Sequence, residues 1–145
     1  MADARTVRDA LSEYHRENGF EGDAMSAETL QVRVLGCRVD VPNPRFQRHL
    51  LARHDLHHVL TGYATTLVGE AEMGAWELGA GPGHWFVLVN NVGALFLGAL
   101  APRRTLRAFR RGRAARSLYN DAVPYEELLD MPLDALRARL GIPAP

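Results

Sequence analysis

The sequence predicts a mainly α, single-domain protein, helical throughout except for a short β-hairpin or extended arm near its N-terminus. Three observations carry that reading. The chain has 145 residues, well below the roughly 250 at which hydrophobic cores divide into separate domains. Its 47% hydrophobic and 23% charged content is a globular balance that excludes disorder as the main state. Apolar residues recur mostly at helical spacing, and glycine and proline mark the breaks.

The elements follow in chain order. Val7, Leu11 and Tyr14 share one face of an amphipathic helix that Asn18-Gly19 should stop. In residues 29–41, Val32, Val34, Val39 and Val41 alternate with Arg33, Arg38 and Asp40 around Leu35-Gly36-Cys37, the period of an extended strand pair. Pro42 and Pro44 close that segment and bar a helix from running through it. Residues 1–44 thus form a helix and arm, and residues 45–141 a helical body. Within the body, Phe46, Leu50, Leu51 and the run to Leu60 suit one helix ended near Gly62, and residues 65–78 suit a second. The stretch Gly79-Ala80-Gly81-Pro82-Gly83 reads as a breaker. Residues 85–101 are apolar, residues 103–116 arginine-rich. Asp130 is expected to cap the last helix, with Pro132 in its first turn and Leu133, Leu136 and Leu140 as its buried stripe.

Charge excludes some functions. The 17 basic and 17 acidic residues balance, whereas bulk attraction to nucleic acid needs a surplus of cations. The single Cys37 cannot form an internal disulfide, so a reducing, cytoplasmic compartment is expected. The N-terminus has neither the apolar run of a signal peptide nor the acid-poor composition of a transit peptide.

His54, Asp55, His57 and His58 are the most informative cluster. On a helix His58 lies about 40° from His54 and Asp55 about 100° from it, with His58 between them. Two imidazoles four residues apart on one face are a chelating pair. His57 falls about 60° to the other side of His54, placed to chelate or to support a ligand from behind. The remaining donor should be an oxygen, with Glu70 the best candidate and Glu77 the outsider. One straight helix would hold His54 and Glu70 about 24 Å apart. The site therefore requires a turn near Gly62 that folds the second helix back. Glu70 and Glu77 would then share a face, and Glu72 would point away. Histidines on an amphipathic helix are also commonly just solvated or hydrogen-bonded, and a chance H-x-x-x-H is frequent.

Residues 54–58, eleven further residues and Glu70 resemble the H-D-x-x-H-x(11)-E signature of the coenzyme Q (ubiquinone) biosynthesis protein four family, within RHDLHHVLTGYATTLVGE. Downstream, AFRRGRAARSLY and PYEELLDMPLDALRARLGI resemble that family's closing segment. The similarity spans roughly residues 45–141. The resemblance implies that His54, Asp55, His58 and Glu70 hold a divalent metal, zinc foremost. It implies an oxidative decarboxylation of a prenylated aromatic acid. The implied partners are a prenylated quinone precursor or other isoprenoid lipid, and other quinone-biosynthesis proteins. The hairpin segment and His57 depart from the family pattern, as in a divergent bacterial branch with another substrate.

Two further functions compete: a non-catalytic lipid-binding scaffold and a metal-dependent hydrolase. The His54-Asp55 pair also resembles the HD phosphohydrolases, which need a further upstream histidine, for which only His49 offers itself. No flavin or haem pattern supplies an oxidant. Residues 85–101 read first as a core helix, then as the wall of a tunnel for a prenyl chain; Asn90, Asn91, Gly93 and Gly98 argue against a membrane span. Arg103, Arg104, Arg107, Arg110, Arg111, Arg113 and Arg116 read as a solvated, partly salt-bridged face, or as a surface for anionic lipid at the inner face of the membrane. Self-association stays open.

Overall fold

The computed structural model describes residues 5–20, 28–34 and 37–144. Helix α1 (Val7–Asn18) starts on a capping box. The Thr6 hydroxyl accepts from the Asp9 amide, and the Asp9 carboxylate accepts from the Thr6 amide at 3.1 Å, satisfying two amides that the helix leaves unpaired. It ends at Gly19 in the left-handed region, φ 66°. Strands β1 (Thr29–Val34) and β2 (Cys37–Pro42) form an antiparallel pair from Thr29↔Pro42 to Val34↔Cys37. The expected turn at Leu35-Gly36 lies outside the described residues.

Helix α2 (Arg45–Thr61) ends where Gly62 turns left-handed at φ 78° and its amide returns to the His58 carbonyl. Thr66 caps α3 (Leu67–Ala80) by accepting the Gly69 amide. Then come α4 (Trp85–Leu97), a 3-10 turn at Gly98–Leu100 and α5 (Pro102–Arg113). A second 3-10 turn at Leu118–Asn120 precedes α6 (Tyr125–Asp130) and α7 (Leu133–Leu140). The fold is mainly α, as expected. Its core joins Val7 and Leu11 of α1, Leu56 and Leu60 of α2, Met73 and Trp76 of α3, Leu118, Leu128 and Leu136. The chain's first described residues are fastened to its last helices: the Val7 amide donates to the Met131 carbonyl, and the Leu133 amide to the Arg5 carbonyl, each at 3.0 Å.

Three local expectations are corrected. Gly79 is no breaker, because α3 runs on to Ala80. Its missing side chain serves the crossing of α3 with α5: a Cβ there would stand 2.4 Å from the Phe109 carbonyl oxygen, and one on Gly112 would stand 2.1 Å from that of Trp76. Asp130 does not cap the last helix. It ends α6, and its carboxylate accepts from Arg8 at 2.8 Å. Pro132, extended at ψ 133°, takes the cap position instead, so α7 begins at Leu133.

The third correction concerns the apolar run. Helix α4 is not a core helix, for it packs on α3 by a narrow face of Val87 and Asn91, with Ala94 set against Gly74. The opposite face carries Trp85, Leu88, Val89, Val92 and Phe96, all exposed, Phe96 at 81%. Among the described residues, no helix is long and apolar enough to cross a membrane.

Candidate metal centre

The turn at residues 62–66 brings α3 back along α2, and the ligands that helical spacing separates by about 24 Å meet. His54 and His58, one turn apart on α2, face each other Nε2 to Nε2 at 3.1 Å. Glu70, in the first turn of α3, sets Oε2 3.4 Å from His54 Nε2 and Oε1 3.4 Å from His58 Nε2. Ligand atoms of these three residues all lie within 4.8 Å of one another, which makes them a group able to hold a metal ion.

The partners of the other ring nitrogens fix the tautomers. His58 Nδ1 lies 2.8 Å from the Tyr63 carbonyl oxygen, which only accepts, so Nδ1 carries a proton and Nε2 is the atom turned toward His54 and Glu70. His54 Nδ1 lies 2.9 Å from Glu77 Oε1 and donates likewise. Two Nε2 atoms and a carboxylate thus meet at one point, and each Nε2 offers a metal its lone pair once it gives up its proton. For bonds of about 2.0–2.1 Å to a tetrahedral zinc, neighbouring ligand atoms stand roughly 3.4 Å apart; the two Nε2 atoms stand 3.1 Å apart, and each has a different Glu70 oxygen at 3.4 Å, Oε2 for His54 and Oε1 for His58. Two imidazole nitrogens and a carboxylate are a donor set that would fit a divalent metal ion.

The group is reached from the Glu70 side, because the His58 side chain is 1% exposed and Glu70 is 35% exposed. On the other side of His58, Tyr14 of α1 stacks on its ring at 5.7 Å between centroids. A cleft of about 670 Å³ begins there, lined by Tyr14, Asn18, His58, Tyr63, Thr65 and Arg137 among others.

Charge at the site is strongly biased. Burial alone would push the His54 imidazole down, but the Glu77 and Glu70 carboxylates outweigh it and hold it well above its ordinary value. Burial would likewise raise Glu70, yet hydrogen bonds from His54 and His58 bring it down to about 2. Glu77 is held well below the carboxylate range against its burial, by His54 foremost and by His57. His57 is pushed down by its burial, which the Glu77 carboxylate only partly offsets.

Of the four residues singled out as ligands, His54, His58 and Glu70 converge. Asp55 stands beside them on α2, with its carboxylate 3.1 Å from His15 Nε2 of α1. His57 is fully buried and has both ring nitrogens engaged: Nδ1 donates to Glu77 Oε1 at 2.7 Å, and Nε2 accepts the Leu118 amide at 2.9 Å. It supports the centre from behind. Glu72 points away as expected and pairs with Arg104 at 2.7 Å. Glu77, the outsider, is fully buried behind His54 and also accepts from Asn91 and Tyr119, both at 2.8 Å. Its seven-residue spacing from Glu70 was a readable signal; nothing in the sequence placed Tyr14, His15, Asn91 or Tyr119 beside the centre. Neither a scan against protein-family models nor a search of curated proteins found a match to this chain.

Proposed function

We propose that this chain is a mononuclear metalloprotein holding a divalent ion, zinc first, on His54, His58 and Glu70, and that the centre binds the acidic head of a prenylated aromatic acid. The convergence of two imidazole Nε2 atoms and one carboxylate is the observation that carries it. Two nitrogens and one oxygen favour zinc over magnesium or calcium, which prefer oxygen alone. Bound there, the ion supplies Lewis acidity toward a carboxylate or phenolate oxygen.

The chain's own residues do the rest. Glu77 and the Tyr63 carbonyl hold the two imidazoles with Nε2 forward. Tyr14 covers His58. An isoprenoid tail has a surface to follow in the exposed apolar stripe of α4, at about 25 cal/mol per Å² of apolar area covered. The exposed Arg103, Arg107 and Arg110 of α5 supply cations for an anionic membrane at which such a lipid is met.

The resemblance to the coenzyme Q biosynthesis protein four family extends this reading to oxidative decarboxylation as the reaction, with an oxidant such as dioxygen supplied from outside the chain, and to other quinone-biosynthesis proteins as partners. The open α4 stripe favours one second reading, a carrier that presents the lipid without altering it. The test is to purify the untagged chain and measure bound metal, then to titrate it with a prenylated 4-hydroxybenzoate. One zinc per chain and binding that Glu70→Ala removes are expected. Carbon dioxide release marks an enzyme, and binding without turnover marks the carrier. Absence of bound or titratable transition metal overturns the proposal.

A further inference from the structure

Glu77 is an unusually complete junction. It is fully buried on α3, and four donors from three other elements end on it. Oε1 takes His54 Nδ1 at 2.9 Å and His57 Nδ1 at 2.7 Å, both from α2, and the Tyr119 hydroxyl at 2.8 Å from the 3-10 turn. Oε2 takes the Asn91 side-chain amide of α4 at 2.8 Å. The protonation of this set is determined by its edges. Because the Leu118 amide donates to His57 Nε2, the His57 proton sits on Nδ1 and points at Glu77. Only an acceptor with no proton of its own satisfies all four donors together.

The same geometry bears on both the centre and α4. Fixing His54 Nδ1–H on Glu77 is what turns His54 Nε2 toward His58 and Glu70. Helix α4, for its part, reaches the interior through only two buried residues, Val87 and Asn91, and Asn91 supplies the polar one. From this juxtaposition we propose that Glu77 is the positioning residue of the metal centre and that Asn91, through Glu77, makes the docking of α4 part of the centre's geometry. The proposal rests on the metal reading above and goes beyond it: metal loading and the seating of the helix that bears the apolar stripe are linked, each favouring the other.

The test uses the full chain and cobalt(II) as the probe, reading affinity by competition titration and ligand geometry from the visible spectrum. Glu77→Gln keeps the shape but replaces an accepting oxygen with a donating amide, so it should weaken cobalt binding by about 10–100-fold and alter the spectrum, the usual consequence of losing a partner behind a ligand. Asn91→Leu keeps the packing and removes one donor, so it should weaken binding by a smaller factor. Glu72→Gln is the control, a buried carboxylate on the same helix that faces Arg104; it should leave affinity and spectrum unchanged. Metal should also slow amide exchange in α4 of the wild type, and Asn91→Leu should abolish that slowing, a readout that a merely structural role would not move. If Glu77→Gln fails to fold, Asn91→Leu decides the matter alone. Wild-type affinity and spectrum in either variant, or an equal loss in Glu72→Gln, overturns the proposal. Failure of the wild type to bind cobalt or zinc overturns instead the metal reading on which it stands.

Discussion

Replacing Gly112 with alanine adds one methyl group where α5 crosses α3. An ideal Cβ at that position stands 2.1 Å from the Trp76 carbonyl oxygen and 3.1 Å from the Ala80 amide nitrogen. Carbon and oxygen in contact stay about 3.3 Å apart at the closest, so the two helices must part by roughly 1 Å. The obstructing atoms are backbone and cannot swing aside. Overpacking of this kind costs about 1–3 kcal/mol and sometimes more, while alanine in place of glycine returns about 1 kcal/mol of helix propensity. A net loss of about 1 kcal/mol, reaching about 2 at the upper end of that cost, follows. Gly93 provides the comparison, being within α4 with nothing inside 4 Å of the added carbon. There the propensity acts alone, and Gly93→Ala should gain up to about 1 kcal/mol. For a chain of this size each kcal/mol moves Tm by roughly 2–4 °C. Thermal unfolding should therefore place Gly112→Ala below the wild type and Gly93→Ala above it. Because α3 carries Glu70 and Glu77, Gly112→Ala should also weaken metal binding. A Gly112→Ala protein as stable as the wild type would refute the close crossing and this account of α3.

Other expectations follow from the same structure. His58→Ala and Glu70→Ala should each abolish tight zinc binding in a competition titration, whereas Asp55→Asn, with its carboxylate set on His15 rather than in the group, should leave affinity within about the tenfold lower bound of supporting-residue losses. His57→Ala should act on the fold more than on the metal: it leaves the buried Leu118 amide unpaired, at about 1–3 kcal/mol, and opens a void against Trp76 and Tyr119, which urea unfolding will register. For pH, the signs are opposite for the two kinds of group. The raised His54 value stabilises the metal-free fold fully below its unfolded pKa of about 6.5, a contribution that fades as pH climbs through the folded value. The depressed Glu70 and Glu77 values stabilise it above about 4.3, a contribution lost as pH falls, for Glu70 toward about 2. Metal-free Tm should fall on both sides of that window. Zinc must displace the His54 proton, so binding should tighten with rising pH and release a proton that calorimetry in two buffers will count.

The sequence by itself determined what depends on near neighbours. Helix ends at Asn18-Gly19 and Gly62 were legible because glycine stops a helix by its own backbone freedom. The His54–His58 pair was legible because one helical turn is a fixed distance, and Glu70 because only a chain reversal near Gly62 brings an oxygen to that pair. Tertiary structure decided the rest. Periodicity marks which face of α4 is apolar but not which face is covered, and packing left the stripe of Trp85, Val89 and Phe96 open while burying Asn91. Glycine in a helix and glycine in a turn look alike in one dimension; the approach of α5 made Gly79 a contact point within α3. The neighbours of the centre, Tyr14 and His15 from α1 and Tyr119 from the 3-10 turn, come from positions 35 or more residues away in the chain. Nothing local couples such residues. Their meeting is set by how amphipathic faces stack, and that stacking placed Asp55 against His15 and made buried Glu77 the anchor of His54.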